Sequence, residues 1–366
     1  MNSIARRRLA SQHLIAPTLR RAVEVVRALG AVQAQDYPNA KWAIGQRTAE
    51  LTDDDIEQAF ARGEILRTHV LRPTWHFVLP DDARWLLELT GPRVKTSMAS
   101  YDRKLGLDAQ TFRKSRAILE RALRDGQQLT RTELRETLQR AGLKVPSGQH
   151  VGNLLLRAEL DRVVISGARH GKQFTYGLFD ERVPLAPARS RDEALGELAS
   201  RYFATRSPAT VHDFSWWSGL LMGDARRAIE IAGQALAHEM FDGRKYHSAR
   251  HTPRAARAVR IAHLLPNYDE YFIGFKDRSA FAERLGGGGV VTKAQLDALW
   301  GHVLVVDGQI VGGWRRAPGA SDVGLRLLLA LTPTERDLVV RAGRRFEKFL
   351  GIPVQVVFGR ARSSRK

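Results

Sequence analysis

Apolar residues recur at helical spacing in three stretches of this chain, and β-like texture follows two of them. In the first, Leu19, Val23, Val26 and Leu29 share one helical face, and Gly30 is placed to close the helix as a C-cap. A second helix is predicted from Thr52, with Asp53, Asp54 and Asp55 at the positive end of its dipole, and it ends near Gly63. Residues 65–79 then read as β-rich, with Pro73 marking a turn or bulge.

The second stretch is the most explicit. Thr130 and Glu133 form a capping box that opens a helix over 131–140, and a turn through Gly142 and Pro146 leads to another helix over about 149–160. A strand at 162–166, a basic turn at 167–172 and a strand at 173–176 complete it. Helix, turn, helix and a hairpin with a basic tip is the winged-helix pattern, the alternative being an unrelated small α+β module. The third stretch starts with a helix through Leu195 and Tyr202 that stops before Pro208. Thr210 and Asp213 cap a further helix, in which Trp216 and Trp217 supply bulk for a core. A helix carrying Arg226 and Arg227 follows Gly223, and no hairpin is evident after it.

Beyond about Arg257 the texture changes. Residues 258–265, 302–307 and 309–314 read as strands, and Asp307-Gly308 is a hairpin signal, so a β-rich C-terminal domain is expected as a small barrel or sandwich. The glycine run 286–289 lacks the Lys-Ser/Thr of a phosphate-binding loop and reads as a flexible connection; the basic tail 360–366 reads as disordered. The predicted class is α+β: tandem winged helix-turn-helix modules at 1–100, 101–190 and 191–256, then a β-rich domain at 257–366.

Composition narrows the partners. With 58 Lys+Arg against 39 Asp+Glu the formal charge is +19, which favours a polyanion, nucleic acid first. A GC-rich genome would explain arginine over lysine, but not the shortage of acids. The chain has no cysteine, which excludes disulfides, thiolate metal sites and thiol nucleophiles. No apolar run approaches a membrane span and no signal core follows the basic N-terminus, so a cytoplasmic, nucleoid-associated monomer without cofactor is expected.

Candidate chemistry is sparse. His69 and His76 have no recognised metal-ligand spacing and read as structural histidines; Trp42, Trp75 and Trp85 read as core aromatics. Between the helix stop at Gly30 and Pro38 the chain should be extended, so Gln33 and Gln35 point to one face with Ala34 behind them. By local pattern alone, a solvated pair of glutamines is the commoner reading.

Gln33-Ala34-Gln35 resembles the Gln-aliphatic-Gln motif of the bacterial winged-helix DNA glycosylases, a superfamily that includes an enzyme unhooking azinomycin crosslinks. Leu71-Arg-Pro-Thr-Trp-His76, Leu89-Thr-Gly-Pro-Arg-Val94, Ser207-Pro-Ala-Thr210, Asp213-Phe-Ser-Trp-Trp-Ser-Gly219, Leu264-Leu-Pro-Asn-Tyr-Asp-Glu-Tyr271 and Val306-Asp-Gly-Gln-Ile-Val-Gly-Gly-Trp314 look like the same superfamily, in order along the chain. The resemblance implies three winged helices around a basic concave surface, double-stranded DNA with alkylated purines as partner, and catalytic roles for Gln33 and Gln35. A sister branch carries Asp in place of the second Gln; Gln35 is kept here, and Asp36 is at best a supporting carboxylate.

An amide does not titrate near neutral pH. An N7- or N3-alkylated purine, however, leaves without protonation, so two convergent carbonyls suffice to place water and stabilise positive charge on the sugar. Arg131, Arg135, Arg157, Arg169 and Lys172 are the candidate phosphate contacts, each true contact adding about 0.9 to the salt slope. Two other readings stay open: a non-catalytic winged-helix regulator, and a self-resistance glycosylase dedicated to one bulky natural product.

Overall fold

The computed structural model describes residues 4–250, 259–286, 292–317 and 319–359, and the expectations for the glycine run at 287–289 and the tail at 360–366 lie outside them. The class is α+β. After helix Ile4–Ser11, helix Ala22–Leu29 stops at Gly30, whose φ of 75° suits glycine. Strand Val32–Gln33, helix Tyr37–Gly45 and helix Asp53–Ala61 follow, the last opened by a Thr52/Asp55 capping box. Strands Leu66–His69 and Trp75–Val78 complete an antiparallel three-stranded sheet with Trp75–Val78 at its centre, and Gln33 faces His76 in register.

The expected boundary at 100/101 falls inside helix Pro80–Lys104. Helices Ala109–Ala122, Arg131–Arg140 and Gly148–Leu160 follow, with a sheet in which Thr175–Leu178 lies between Leu129–Thr130 and Val164–Ser166. The Thr130/Glu133 capping box opens its helix as expected.

Helices Arg191–Thr205, Val211–Ser218 and Met222–Ala232 follow, and here the sequence reading needs correction. A two-stranded hairpin, Leu236–Phe241 with Arg244–Ala249, comes after them. It was not legible because most of its first strand is solvent-exposed and shows no apolar alternation. Trp217 is fully buried but Trp216 is 44% exposed, since neighbours on a helix point about 100° apart.

The C-terminal region is neither barrel nor sandwich. Ala262–Leu265, Val303–Val306, Gln309–Arg316 and Asp322–Leu327 form an antiparallel sheet in the order 262–265, 303–306, 309–316, 322–327. Gln355–Phe358 adds parallel to the last strand through the crossover helix Pro333–Leu350. That helix was missed, although Thr332 and Glu335 form its capping box and Leu338, Ala342 and Phe346 line its buried face.

The described residues form three apolar cores. One joins helix Ile4–Ser11, helix Pro80–Lys104 and the 191–236 helices; a second joins the first unit's helices to the C-terminal sheet; the third lies within 107–176. Trp42 shows the second junction: it packs 4.9 and 5.0 Å from Phe346 and Phe349 and donates its indole N–H to the Leu264 carbonyl at 2.7 Å. The first unit is therefore roofed by residues more than two hundred positions away.

Candidate active site

The Gln33-Ala34-Gln35 segment is held through the Gln33 and Ala34 N–H groups and the Ala34 carbonyl. The Gln33 N–H donates to Glu270 Oε1 at 3.0 Å, and the Ala34 N–H to the Trp75 carbonyl at 2.7 Å. Arg67 Nε donates to the Ala34 carbonyl at 3.0 Å, while Arg206 donates to the Leu29 and Ala31 carbonyls at 2.9 and 3.2 Å. Ala34 is fully buried behind the segment, Gln33 is 7% exposed, and Gln35 is exposed. Gln33 and Ala34 are thus both buried and Gln35 is exposed, so burial along the segment does not alternate and the two amides sit at different depths.

Both amides meet the opposing 72–75 stretch. Gln33 Oε1 accepts from the Arg72 guanidinium and Gln35 Oε1 from the Trp75 N–H, each at 3.5 Å. Asp36 is otherwise engaged: it caps helix Tyr37–Gly45, and its Oδ2 accepts from the Asn39 and Asn267 amides at 2.8 and 3.1 Å.

Beneath the segment lies a buried polar floor. Glu270, fully buried, accepts at Oε2 from Arg206 at 3.1 and 2.7 Å and from the Trp217 indole N–H at 2.9 Å. The Arg206 guanidinium stacks 4.2 Å over the Trp217 ring. Beside it, Arg47 and Asp269 form a fully buried bidentate pair at 2.9 Å, and Gln12 bridges Arg47 to the Glu270 carbonyl. These carboxylates have their acceptor capacity spoken for.

The surrounding titratable groups are tuned by burial. His76, opposite Gln33, is held well below its ordinary value by desolvation and then by the nearby Arg72 charge. Burial pulls Arg67 down to about 10, where it lies 4.3 Å from both the Trp75 and Phe174 rings. His69 is paired with Glu159 at 2.5 Å. Among the described residues no His/Cys/Asp/Glu group has the arrangement to hold a metal ion.

The five basic candidates divide. Arg169 pairs with Glu57 at 3.1 Å and stacks 5.0 Å over Tyr37, tying the turn at 167–172 to the helices beside the glutamine segment. Arg157 pairs with Asp161 at 2.8 Å. Arg131 and Arg135 donate to the Gly148 and Pro146 carbonyls, and Lys172 stands exposed. Glu270, Arg206, Arg67 and Arg72 were assigned no role from sequence. The motif segments containing Arg72 and Glu270, and the one that follows Arg206, carried the signal, but their meeting is tertiary.

A family model described as DNA glycosylase AlkZ-like matches residues 26–349. The chain belongs to the AlkZ-like DNA glycosylase family. It is an enzyme family acting on DNA, and the resemblance seen in the motifs is thereby established. An interstrand DNA cross-link repair glycosylase of Streptomyces sahachiroi is 26% identical over 324 residues, covering 84% of this chain and 85% of that protein. The solved structure of Streptomyces sahachiroi DNA glycosylase AlkZ superposes with a TM-score of 0.78 at 23% identity, covering 97% of this chain and 98% of that one, which shows a shared fold. Among the described residues, no helix is long and apolar enough to cross a membrane.

Proposed function

We propose that this AlkZ-like family member is a monofunctional DNA N-glycosylase that hydrolyses the glycosidic bond of cationic N-alkylated purines in duplex DNA, with bulky adducts and interstrand crosslinks within its range. The three helix-rich units with their hairpins act as tandem winged helices around the duplex. Gln33 and Gln35 place the attacking water and face the sugar carbon. Family membership favours this enzyme reading over a non-catalytic regulator. The name of the Streptomyces sahachiroi relative supports the extension to crosslinks.

One observation carries the reading: an amide pair on a rigidly pinned segment, beside carboxylates that are already consumed. Glu270 takes hydrogen bonds from Gln33, Arg206 and Trp217, and Asp36 from its own helix and Asn267. A glycosylase for neutral bases wants a carboxylic acid to protonate the leaving group. With the neighbouring carboxylates Glu270 and Asp36 engaged in this way, the substrate should already carry the charge, as an N7- or N3-alkylated purine does. The pinned backbone then contributes by preorganisation, since the dipoles need not reorient as positive charge develops on the sugar.

The monofunctional assignment rests on the amine nearest the segment in sequence, which is already engaged. Lys41, just past the segment, is buried and engaged by Asp53 and Glu57, each at 2.7 Å. Lyase chemistry would need a neutral amine to form an imine with the sugar.

The test is release of N7-methylguanine from duplex DNA by wild type, Gln33→Ala and Gln35→Ala, with binding followed by fluorescence anisotropy at two salt concentrations. Abasic sites from wild type, and variants that bind but do not release, support the proposal. Tight binding without release by wild type, even from an N7-linked crosslink, would move the assignment to a regulator. Strand nicking through a borohydride-trapped adduct would overturn the monofunctional part.

A further inference from the structure

We propose that Arg72 is the positioning residue of this site, fixing which way the Gln33 amide faces so that its carbonyl, not its NH₂, is held at the reaction centre. The inference rests on the role for Gln33 proposed above and deepens it.

The chemistry of the pair dictates the orientation. A guanidinium has donors only, so a glutamine amide turned towards it must present oxygen. Arg72 Nη2 lies 3.5 Å from Gln33 Oε1, a distance that a modest movement on substrate binding would shorten to an ordinary hydrogen bond. One carbonyl lone pair is then taken by Arg72, and the second is left for a water or for positive charge on the sugar. Gln35, whose partner is the Trp75 backbone N–H, is oriented by the same donor-only logic, but through main chain that no side-chain substitution removes.

The backbone is built to aim Arg72. Leu71 adopts a φ of 65°, in the left-handed region that disfavours a leucine. Two tight turns follow, with the Arg72 N–H on the Val70 carbonyl and the Thr74 N–H on the Arg72 carbonyl, both at 2.7 Å. Neighbours hold the conformation in place. The Leu71 N–H donates to Thr90 Oγ1 at 3.1 Å, and the Gly219 backbone approaches so closely that a Cβ there would lie 2.2 Å from the Leu71 oxygen. Strain kept by surrounding structure at one end of a candidate site is the expected mark of a residue held for a task.

The guanidinium is half-buried, lies 5.9 Å from the exposed Trp216 ring, and has a buried Nε with no hydrogen-bond partner among the described residues. Burial holds its pKa below the ordinary arginine value, with Glu270 opposing that shift and Arg206 adding to it. A residue placed only to grip DNA phosphates would more simply stand in solvent, like Lys172.

The experiment is a double-mutant cycle. Wild type, Arg72→Met, Arg72→Lys, Gln33→Ala, and each Arg72 variant combined with Gln33→Ala are compared in single-turnover release of N7-methylguanine. Binding is measured to an undamaged duplex at two salt concentrations and to a duplex carrying a cationic pyrrolidine analogue of the abasic sugar. Arg72→Met should slow release by about 10- to 100-fold, the usual consequence of misplacing a catalytic group. It should weaken the pyrrolidine duplex by a similar factor, yet leave undamaged-duplex affinity and salt slope unchanged. Combined with Gln33→Ala it should be no slower than Gln33→Ala alone, and Arg72→Lys should recover part of the rate. Should Arg72→Met fail to fold, the Arg72→Lys cycle decides by the same non-additivity.

Three results would each overturn the inference: wild-type release by Arg72→Met, losses that multiply in the double variant, or weakened undamaged-duplex binding with a salt slope lower by about 0.9, the sign of a phosphate contact. Failure of the parent reading looks different. A wild type that releases nothing, or a Gln33→Ala that releases normally, removes Gln33 from catalysis and this inference with it. An inactive Gln33→Ala beside an unaffected Arg72→Met sinks the Arg72 role alone.

Discussion

Replacing Glu270 by glutamine removes a charge while leaving the side-chain volume almost unchanged, and it strikes the point where the buried floor meets the glutamine segment. The carboxylate accepts from the Gln33 N–H at one oxygen and from Arg206 and the Trp217 indole at the other. A glutamine has one carbonyl and one NH₂, so one of these two donor sets must face another donor. Arg206, with no solvent exposure, would also keep its charge without a counterion, retaining only neutral oxygens such as the Leu29 and Ala31 carbonyls. Removing one partner of a buried pair costs about 3–5 kcal/mol, a large share of the roughly 5–15 kcal/mol by which domains are stable. Urea denaturation followed by tryptophan fluorescence should show that loss, with base release falling as the Gln33 backbone loses its acceptor. The double variant Arg206→Met/Glu270→Leu separates the two effects. An apolar pair of similar volume should recover much of the stability, yet leave the Gln33 N–H unbonded and base release low. The reasoning fails if Glu270→Gln unfolds within about 1 kcal/mol of wild type, or if the apolar pair restores base release.

Acid should weaken the fold before carboxylates titrate. His76 and His263 are fully buried with folded pKa values well below the ordinary 6.5, so the unfolded chain binds protons that the folded chain refuses. Stability is therefore complete above about pH 6.5 and falls below it by about 1.4 kcal/mol per pH unit for each such histidine; urea titrations at pH 7.5 and 5.5 should show the drop, and equal midpoints would count against it. Gly219→Ala should slow base release and lower stability by more than about 1 kcal/mol, because the new Cβ meets the Leu71 carbonyl at 2.2 Å and glycine's φ of 71° is lost; normal kinetics would show that the Leu71 turn does not need that contact. Arg169→Ala should lower the melting temperature, by loss of Glu57 and of stacking on Tyr37, without changing the salt slope of duplex binding, whereas Lys172→Ala should lower the slope by about 0.9 and leave stability alone; the reverse pattern would exchange their roles.

The sequence by itself determined the features whose causes lie within a few residues. The Thr130/Glu133 capping box, the Gly30 helix stop and the Asp307-Gly308 turn, with φ of 50° and 87°, are local hydrogen-bond and steric choices, and all appear where the chain chemistry placed them. Extended backbone around Gln33 was legible for the same reason. The 333–350 helix was equally readable from Thr332, Glu335 and its apolar stripe, and went unread only because the neighbouring strands coloured the whole region. The hairpin at 236–249 offered little to read: most of its first strand is exposed, so no burial pattern marks it. What surrounds Gln33 was decided only in three dimensions. Its backbone acceptor Glu270 lies 237 positions away, Arg206 reaches Glu270 across 64, and Arg72 reaches the Gln33 amide across 39. No periodicity records such pairings, because burying charge is favourable only once the partner arrives to replace water. Local propensity drew the strand that ends in Gln33, and the closing of distant segments over it decided what the two amides face.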